Sequence, residues 1–222
     1  RIKELIGRAV NYLKYLIGDS LFTPLAYRAG NWLMTSAKRL GPILAQAGLK
    51  VDSSVYKGGY QRLYYLDYRQ APAGLFYWRF SDEVTKPDPG GQLLEIPIYT
   101  KMIPTWKFLS KKRLALEAGG ASSVSLKTKF ANRYRDFLRL KVPLKFDFCR
   151  LSLGELQSMA EELIDIDALS PSDYKPVVLI GHTKDRPDYQ TVELFLSYLA
   201  DKGIKTTTFR QAIQTIALRE TE

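Results

Sequence analysis

The stretch Pro176–Asp185, "PVVLIGHTKD", carries the only histidine of the chain at the end of an apolar run. A short apolar run that stops at Gly-His, with a helical pattern beyond it, reads as a buried strand. In parallel α/β folds the working side chains sit where strands end and loops begin. His182 occupies such a position, and the rest of the chain can be read outward from it.

Short apolar runs alternate with helical patterns along the whole sequence. "KELIGRAVNYLKYLIG" reads as an amphipathic helix stopped by Gly18, and "TPLAYR" as a short strand. "TSAKRLGPILAQAG" predicts a helix capped by Thr35 or Ser36 and stopped by Gly48, which Pro42 must kink or shorten. "LKVDSS", "LFYWRF", "LLEIPIYT" and "VPLKFDF" read as strands, the middle two joined by the turn-rich "SDEVTKPDPGG". Helices are expected near Trp106–Ala118 and Phe130–Leu140, with "GGASS" as a loop between them. "LSLGELQSMAEELID" predicts a helix with Leu153, Leu156, Met159, Ala160 and Leu163 on one face. "RPDYQTVELFLSYLADKG" is a further helix ended by Gly203, and "IKTTTF" and "RQAIQTIAL" close the chain. This rhythm implies βαβ units and a parallel sheet, which both open sheets and barrels satisfy.

The 222 residues suit a single domain over 1–222, and 45% hydrophobic content is enough for a sizeable core. No apolar run is long enough to span a bilayer, and no signal peptide is visible. The opening "RIKELIGRAV" reads as the interior of a domain, so the missing leader carries little meaning. One cysteine, Cys149, excludes an internal disulfide.

The net charge of +10 is localised. The segment 101–145 holds twelve of the 33 basic residues and two of the 23 acids, which leaves 21 of each elsewhere. Such a block suits an anionic partner: a phosphate-bearing lipid or glycan, an anionic membrane surface, or nucleic acid. It equally suits a solvated basic face. No zinc-finger, RNP or P-loop pattern is present, so specific nucleic-acid binding is not expected.

The polar residues at strand ends form a short set: Arg28, Asp52, Glu95, Asp147 and His182. Imidazole titrates near neutrality, so His182 fits a general acid or base. Gly181 beside it would admit a substrate or a neighbouring backbone. Asp52 could orient the imidazole, and Arg28 could hold a carboxylate through two bonds. Each also has a structural reading. Arg28 and Asp52 could form a buried ion pair, and Glu95 and Asp147 could be buried partners.

In order and spacing, "YRAGNW" (27–32), "GLKVDSSV" (48–55), "LDYRQAP" with "YW" (66–78), "LLEIPI" (93–98) and "VLIGHTKD" (178–185) resemble the later motifs of the polysaccharide deacetylases. That superfamily, carbohydrate esterase family four, includes chitin, peptidoglycan and nodulation-factor deacetylases. The resemblance covers about residues 20–210. It implies an α/β fold of the incomplete, distorted (β/α) barrel type with the N-terminal strands missing. It also implies a divalent metal, usually zinc, that polarises the N-acetyl carbonyl and activates water. By position, His182 resembles the acid that protonates the departing amine, with Leu179 lining the acetyl pocket. Arg28 resembles the arginine that braces the catalytic base, and Asp52 the aspartate that supports the histidine. A groove wall falls to Trp32 or Trp78.

The chain also departs from the family. No Asp-Asp pair precedes Arg28, and no His-x-x-x-His occurs anywhere. One histidine and one cysteine cannot build the usual three-ligand zinc site. The opening helix resembles the one that follows the second metal motif, so these 222 residues alone are not expected to hydrolyse an amide by the family's route. Three readings stand. The first is the C-terminal part of a metal-dependent polysaccharide N-deacetylase acting on a surface glycan or its glycolipid precursor, in a bacterial cell-envelope pathway, cytoplasmic or periplasmic. The second is a non-catalytic glycan-binding relative. The third is a basic module that binds anions or a membrane surface.

Overall fold

The computed structural model describes residues 1–105, 140–182 and 188–220. The architecture is mixed α/β, with five α-helices and small sheets among the described residues, none of them closed into a barrel. The two helices expected within 106–140, and most of the basic segment, lie outside the described residues. Among the described residues no helix is long and apolar enough to cross a membrane. The chain divides into two compact units. The first comprises Arg1–Ile98, Ser172–Val178 and Thr206–Glu222, and the second Tyr99–Pro171 and Leu179–Lys205.

In the first unit, α1 (Ile2–Ile17) ends at Gly18, whose φ of 72° is the left-handed conformation that glycine adopts without a Cβ penalty. After β1 (Ala26–Tyr27) comes α2 (Ala37–Gln46), preceded by Ser36, which makes no side-chain cap bond. Pro42 lies inside α2, and the helix stops about one turn later. Gly48 follows at φ 87°, where a Cβ would also press on Thr23.

Then come β2 (Val51–Asp52), the small hairpin of β3 (Tyr60–Gln61) and β4 (Leu66–Asp67), β5 (Trp78–Phe80) and β6 (Leu93–Glu95). The main sheet has the order β1-β2-β6-β5. The first three strands run parallel, with Tyr27 beside Asp52 and Asp52 beside Glu95. β5 is antiparallel to β6, as the turn-rich link between them requires. Single parallel bridges extend the pairing from Tyr56 to Ile98 and from Ile98 to Val178. The run "PVVLIGH" thus pairs through isolated residues, not as the continuous strand expected.

The last helix, α5 (Phe209–Arg219), opens with a capping box between Thr208 and Gln211. Ala212 and Ile216 on it are buried with Val51, Leu94 and Ile96 of the sheet. Strands covered in this way read as near-continuous apolar runs, which is why "LLEIPI" was legible as a strand.

The second unit contains β7 (Thr100–Pro104), β8 (Lys141–Lys145), α3 (Leu153–Leu169) and α4 (Tyr189–Asp201). β7 and β8 pair antiparallel, Thr100 beside Lys145 through Pro104 beside Lys141. α3 starts with a full capping box between Ser152 and Glu155. Its face is the expected one: Leu156, Met159 and Ala160 are buried, and Leu153 and Leu163 pack beside them. They meet Ile103, Val142, Leu144 and Phe146 of the hairpin and Phe195 of α4, whose ring lies edge-on to Phe146 at 5.7 Å. Leu156 has no exposed surface. Leu156→Ala should lower stability by about 2–5 kcal/mol, measured by urea unfolding, because the surrounding helices only partly collapse into the space left.

Candidate functional site

The strand-end residues fall into two clusters, one in each unit. Arg28, Asp52 and Glu95 belong to the first, and Asp147 and His182 to the second.

In the first cluster the parallel pairing brings the C-terminal ends of β1, β2 and β6 side by side. Asp52 and Glu95, register partners on adjacent strands, are both completely buried. Ser54 ties the segment after β2 to the segment after β1. Its hydroxyl donates to Asp52 Oδ1 at 2.6 Å and accepts from the Ala29 N–H at 2.8 Å. Arg28 makes a matching connection, donating from Nε to the Ser53 carbonyl at 2.8 Å and from Nη2 to Ser53 Oγ at 2.9 Å. Glu95 Oε1 accepts the Val55 N–H at 3.0 Å.

Burial raises the pKa of Asp52, opposed by bonds from Glu95, Ser54 and the local backbone. Burial also raises Glu95 well above the ordinary carboxylate range, and the charge of Asp52 pushes the same way. Arg28 is lowered by burial, and Asp52 and Glu95 oppose that effect.

Close by in sequence, Asn31 and Trp32 take left-handed backbone angles, φ 52° and 60°. Neither is glycine, so the conformation is strained and needs support. Tyr68 supplies it: the phenol donates to the Trp32 carbonyl at 2.5 Å and accepts the Met34 N–H at 3.0 Å. Trp32 itself is half-buried, its ring edge-on to Tyr56 at 5.7 Å.

Trp78 differs from expectation. It is 4% exposed and donates its indole N–H to the Val84 carbonyl at 2.8 Å, so it fills the core and does not wall a groove. Its ring also lies 5.9 Å from the ammonium of Lys57, which donates to the Ala73 carbonyl at 3.0 Å and to the Leu75 carbonyl. Burial pushes Lys57 down to about 8.

In the second cluster a parallel bridge sets Asp147 beside Ile180, two residues before His182. His182 Nε2 lies 3.5 Å from Asp147 Oδ2. The carboxylate against the imidazole is therefore Asp147, whereas sequence reasoning gave that place to Asp52. Alternation explains the difference: Ile180 points into the core, and His182, two residues on, continues along Asp147.

Asp147 Oδ1 accepts the Cys149 N–H at 3.0 Å, and Arg150 Nε stands 3.8 Å from Oδ2. Cys149 is buried, and its sulfur accepts the His182 N–H at 3.3 Å and faces the His182 carbonyl at 3.7 Å. Gly181 is required by the Phe148 ring, which a Cβ would meet at 2.2 Å, and not by an approaching backbone. Leu179 is half-buried and packs on the core of its unit. Burial raises Asp147, opposed by the Cys149 N–H and then by His182, Arg150 and Lys145. Lys145 is pushed down to about 8 by burial and by Arg150.

Sequence reasoning missed Ser53, Ser54, Tyr68, Lys57 and Lys145. For the two serines a signal existed: hydroxyls directly after a strand-end aspartate are well placed to bond it. The other three are marked only by burial.

Among the described residues no group of three histidine, cysteine or carboxylate side chains could hold an ion. No family model, curated protein or solved structure matches the chain.

Ser54→Ala would strip the Ala29 N–H and Asp52 Oδ1 of their partner in a buried setting. The expected cost is about 1–3 kcal/mol in urea unfolding. Ser54→Thr keeps the hydroxyl and should recover most of it.

Proposed function

We propose that the chain is the C-terminal part of a metal-dependent polysaccharide N-deacetylase, a hydrolase that removes N-acetyl groups from a surface glycan or its lipid-linked precursor. The reading places it in a bacterial cell-envelope pathway, cytoplasmic or periplasmic, on an incomplete (β/α) barrel. One observation carries it. Two segments that resemble the deacetylases, "YRAGNW" and "VDSS", are held together by three hydrogen bonds, two from Arg28 to Ser53 and one from the Ala29 N–H to the Ser54 hydroxyl.

Amide hydrolysis expels an amine, a poor leaving group until it is protonated. A positioned acid at that nitrogen is the contribution expected of His182, steadied by Asp147. Arg28 holds its loop through Ser53 and presents the remainder of a cationic, planar head. Asp52 anchors that loop through Ser54. Within the second unit Leu179 is the apolar contact for acetyl, and within the first Trp32 is the contact for a sugar ring. The zinc ligands this chemistry needs are not among these residues, so the proposal requires them from polypeptide beyond the 222.

The half-buried Trp32 on its strained, braced turn also suits the second reading, a glycan binder without catalysis. The two separate on the sequence encoded directly upstream of Arg1. An Asp-Asp pair and a His-x-x-x-His there support the enzyme, and a region without both sinks it. In the protein that carries them, His182→Ala should slow acetate release from N-acetylglucosamine oligomers by about two to four orders of magnitude. An unchanged rate removes His182 from the reaction.

A further inference from the structure

We propose that Asp52 and Glu95 hold one proton between them at neutral pH, with Glu95 the neutral acid that donates to the Asp52 carboxylate. The proton locks β2 to β6 beneath the Arg28 loop. Glu95 is then a positioning residue for that loop, a role that rests on the deacetylase reading. The shared proton itself does not.

Asp52 and Glu95 are register partners on adjacent parallel strands, so their side chains project from the same face, about 4.8 Å apart at the backbone. Both are 0% exposed. Each has one oxygen engaged, Asp52 Oδ1 by Ser54 and Glu95 Oε1 by Val55. The other two oxygens, Asp52 Oδ2 and Glu95 Oε2, are buried with no donor in reach if both groups are ionised. Two bare carboxylate oxygens side by side, out of water, are costly. A single proton between them satisfies both.

Charge balance leads to the same place. The ionisable groups around the pair are Tyr27 and Arg28 from the β1 segment and Tyr68 beyond β4. Burial raises both phenols, so they are neutral, and Arg28 contributes the positive charge. One carboxylate, one acid and one guanidinium sum to zero, whereas two carboxylates would leave a buried negative charge.

The donors decide which partner keeps the proton. Asp52 is supported by the Ser54 hydroxyl and the backbone of Ser53 and Ser54, all of which favour its ionised form. Glu95 has the Val55 N–H alone from the backbone, and it keeps the proton.

The sign of the pH dependence follows. An unfolded glutamate ionises near pH 4.3, while Glu95 in the fold does not. From about pH 4 upward, unfolding therefore releases one proton. The folded-to-unfolded ratio then falls about tenfold per pH unit until the pair itself ionises.

Infrared spectroscopy and urea unfolding of this 222-residue chain test the proposal without any activity measurement. At pH 7 the folded protein should show the carbonyl band of a protonated carboxylic acid. Glu95→Gln, whose amide donates in place of the acid, should fold, lack the band and lose the one-proton slope of the urea midpoint against pH. Asp52→Asn should lack the band as well. A wild-type spectrum without the band at pH 7 overturns the proposal, whether or not either variant folds. So does a band that survives in Glu95→Gln, which would put the proton elsewhere. An absent band with a midpoint that falls on adding a chelator would place a cation between the oxygens, and also overturns it. A failed deacetylase assay leaves the shared proton untouched.

Discussion

A carboxylate taken out of water must find a partner, and this chain removes Asp52, Glu95 and Asp147 from solvent. Much of the local design around the strand ends answers that demand. In the first unit the answer is a hydroxyl, a backbone amide and the neighbouring acid, with a guanidinium close by. In the second it is the Cys149 amide, the His182 imidazole and the cations Arg150 and Lys145. Loops that would otherwise be loosely held are pinned because their donors are needed inside.

The same economy explains the unusual backbone nearby. Asn31 and Trp32 sit in left-handed conformations that cost free energy, and Tyr68 compensates by bonding on both sides of the turn. The phenol is buried, so these bonds act in a setting where water competes poorly. Trp32 is half-buried on the turn that these bonds hold.

Much of the element order was legible because periodicity and punctuation act locally. Gly18, Gly48 and Gly203 all take left-handed angles where the sequence places helix ends. The buried face of α3 was read residue by residue, since a helix repeats its inward positions at fixed intervals. The strands were harder. "PVVLIGH" has the composition of a strand but pairs only at Val178 and Ile180, because pairing depends on what lies alongside. Barrel closure was likewise beyond local reading, and the sheets seen are small.

The candidate site divides in the same way. The sequence alone determined that Arg28, Asp52, Glu95, Asp147 and His182 stand at the ends of apolar runs, because residue type and spacing are local properties. It could not determine their partners. Asp147 and not Asp52 lies against His182, and Trp78 belongs to the core. Asp52 faces Glu95 across 43 positions of sequence, through one register of parallel pairing. A buried carboxyl takes its ionisation from whatever group the fold sets beside it. That neighbour, and with it the chemistry, was chosen only when the strands came together.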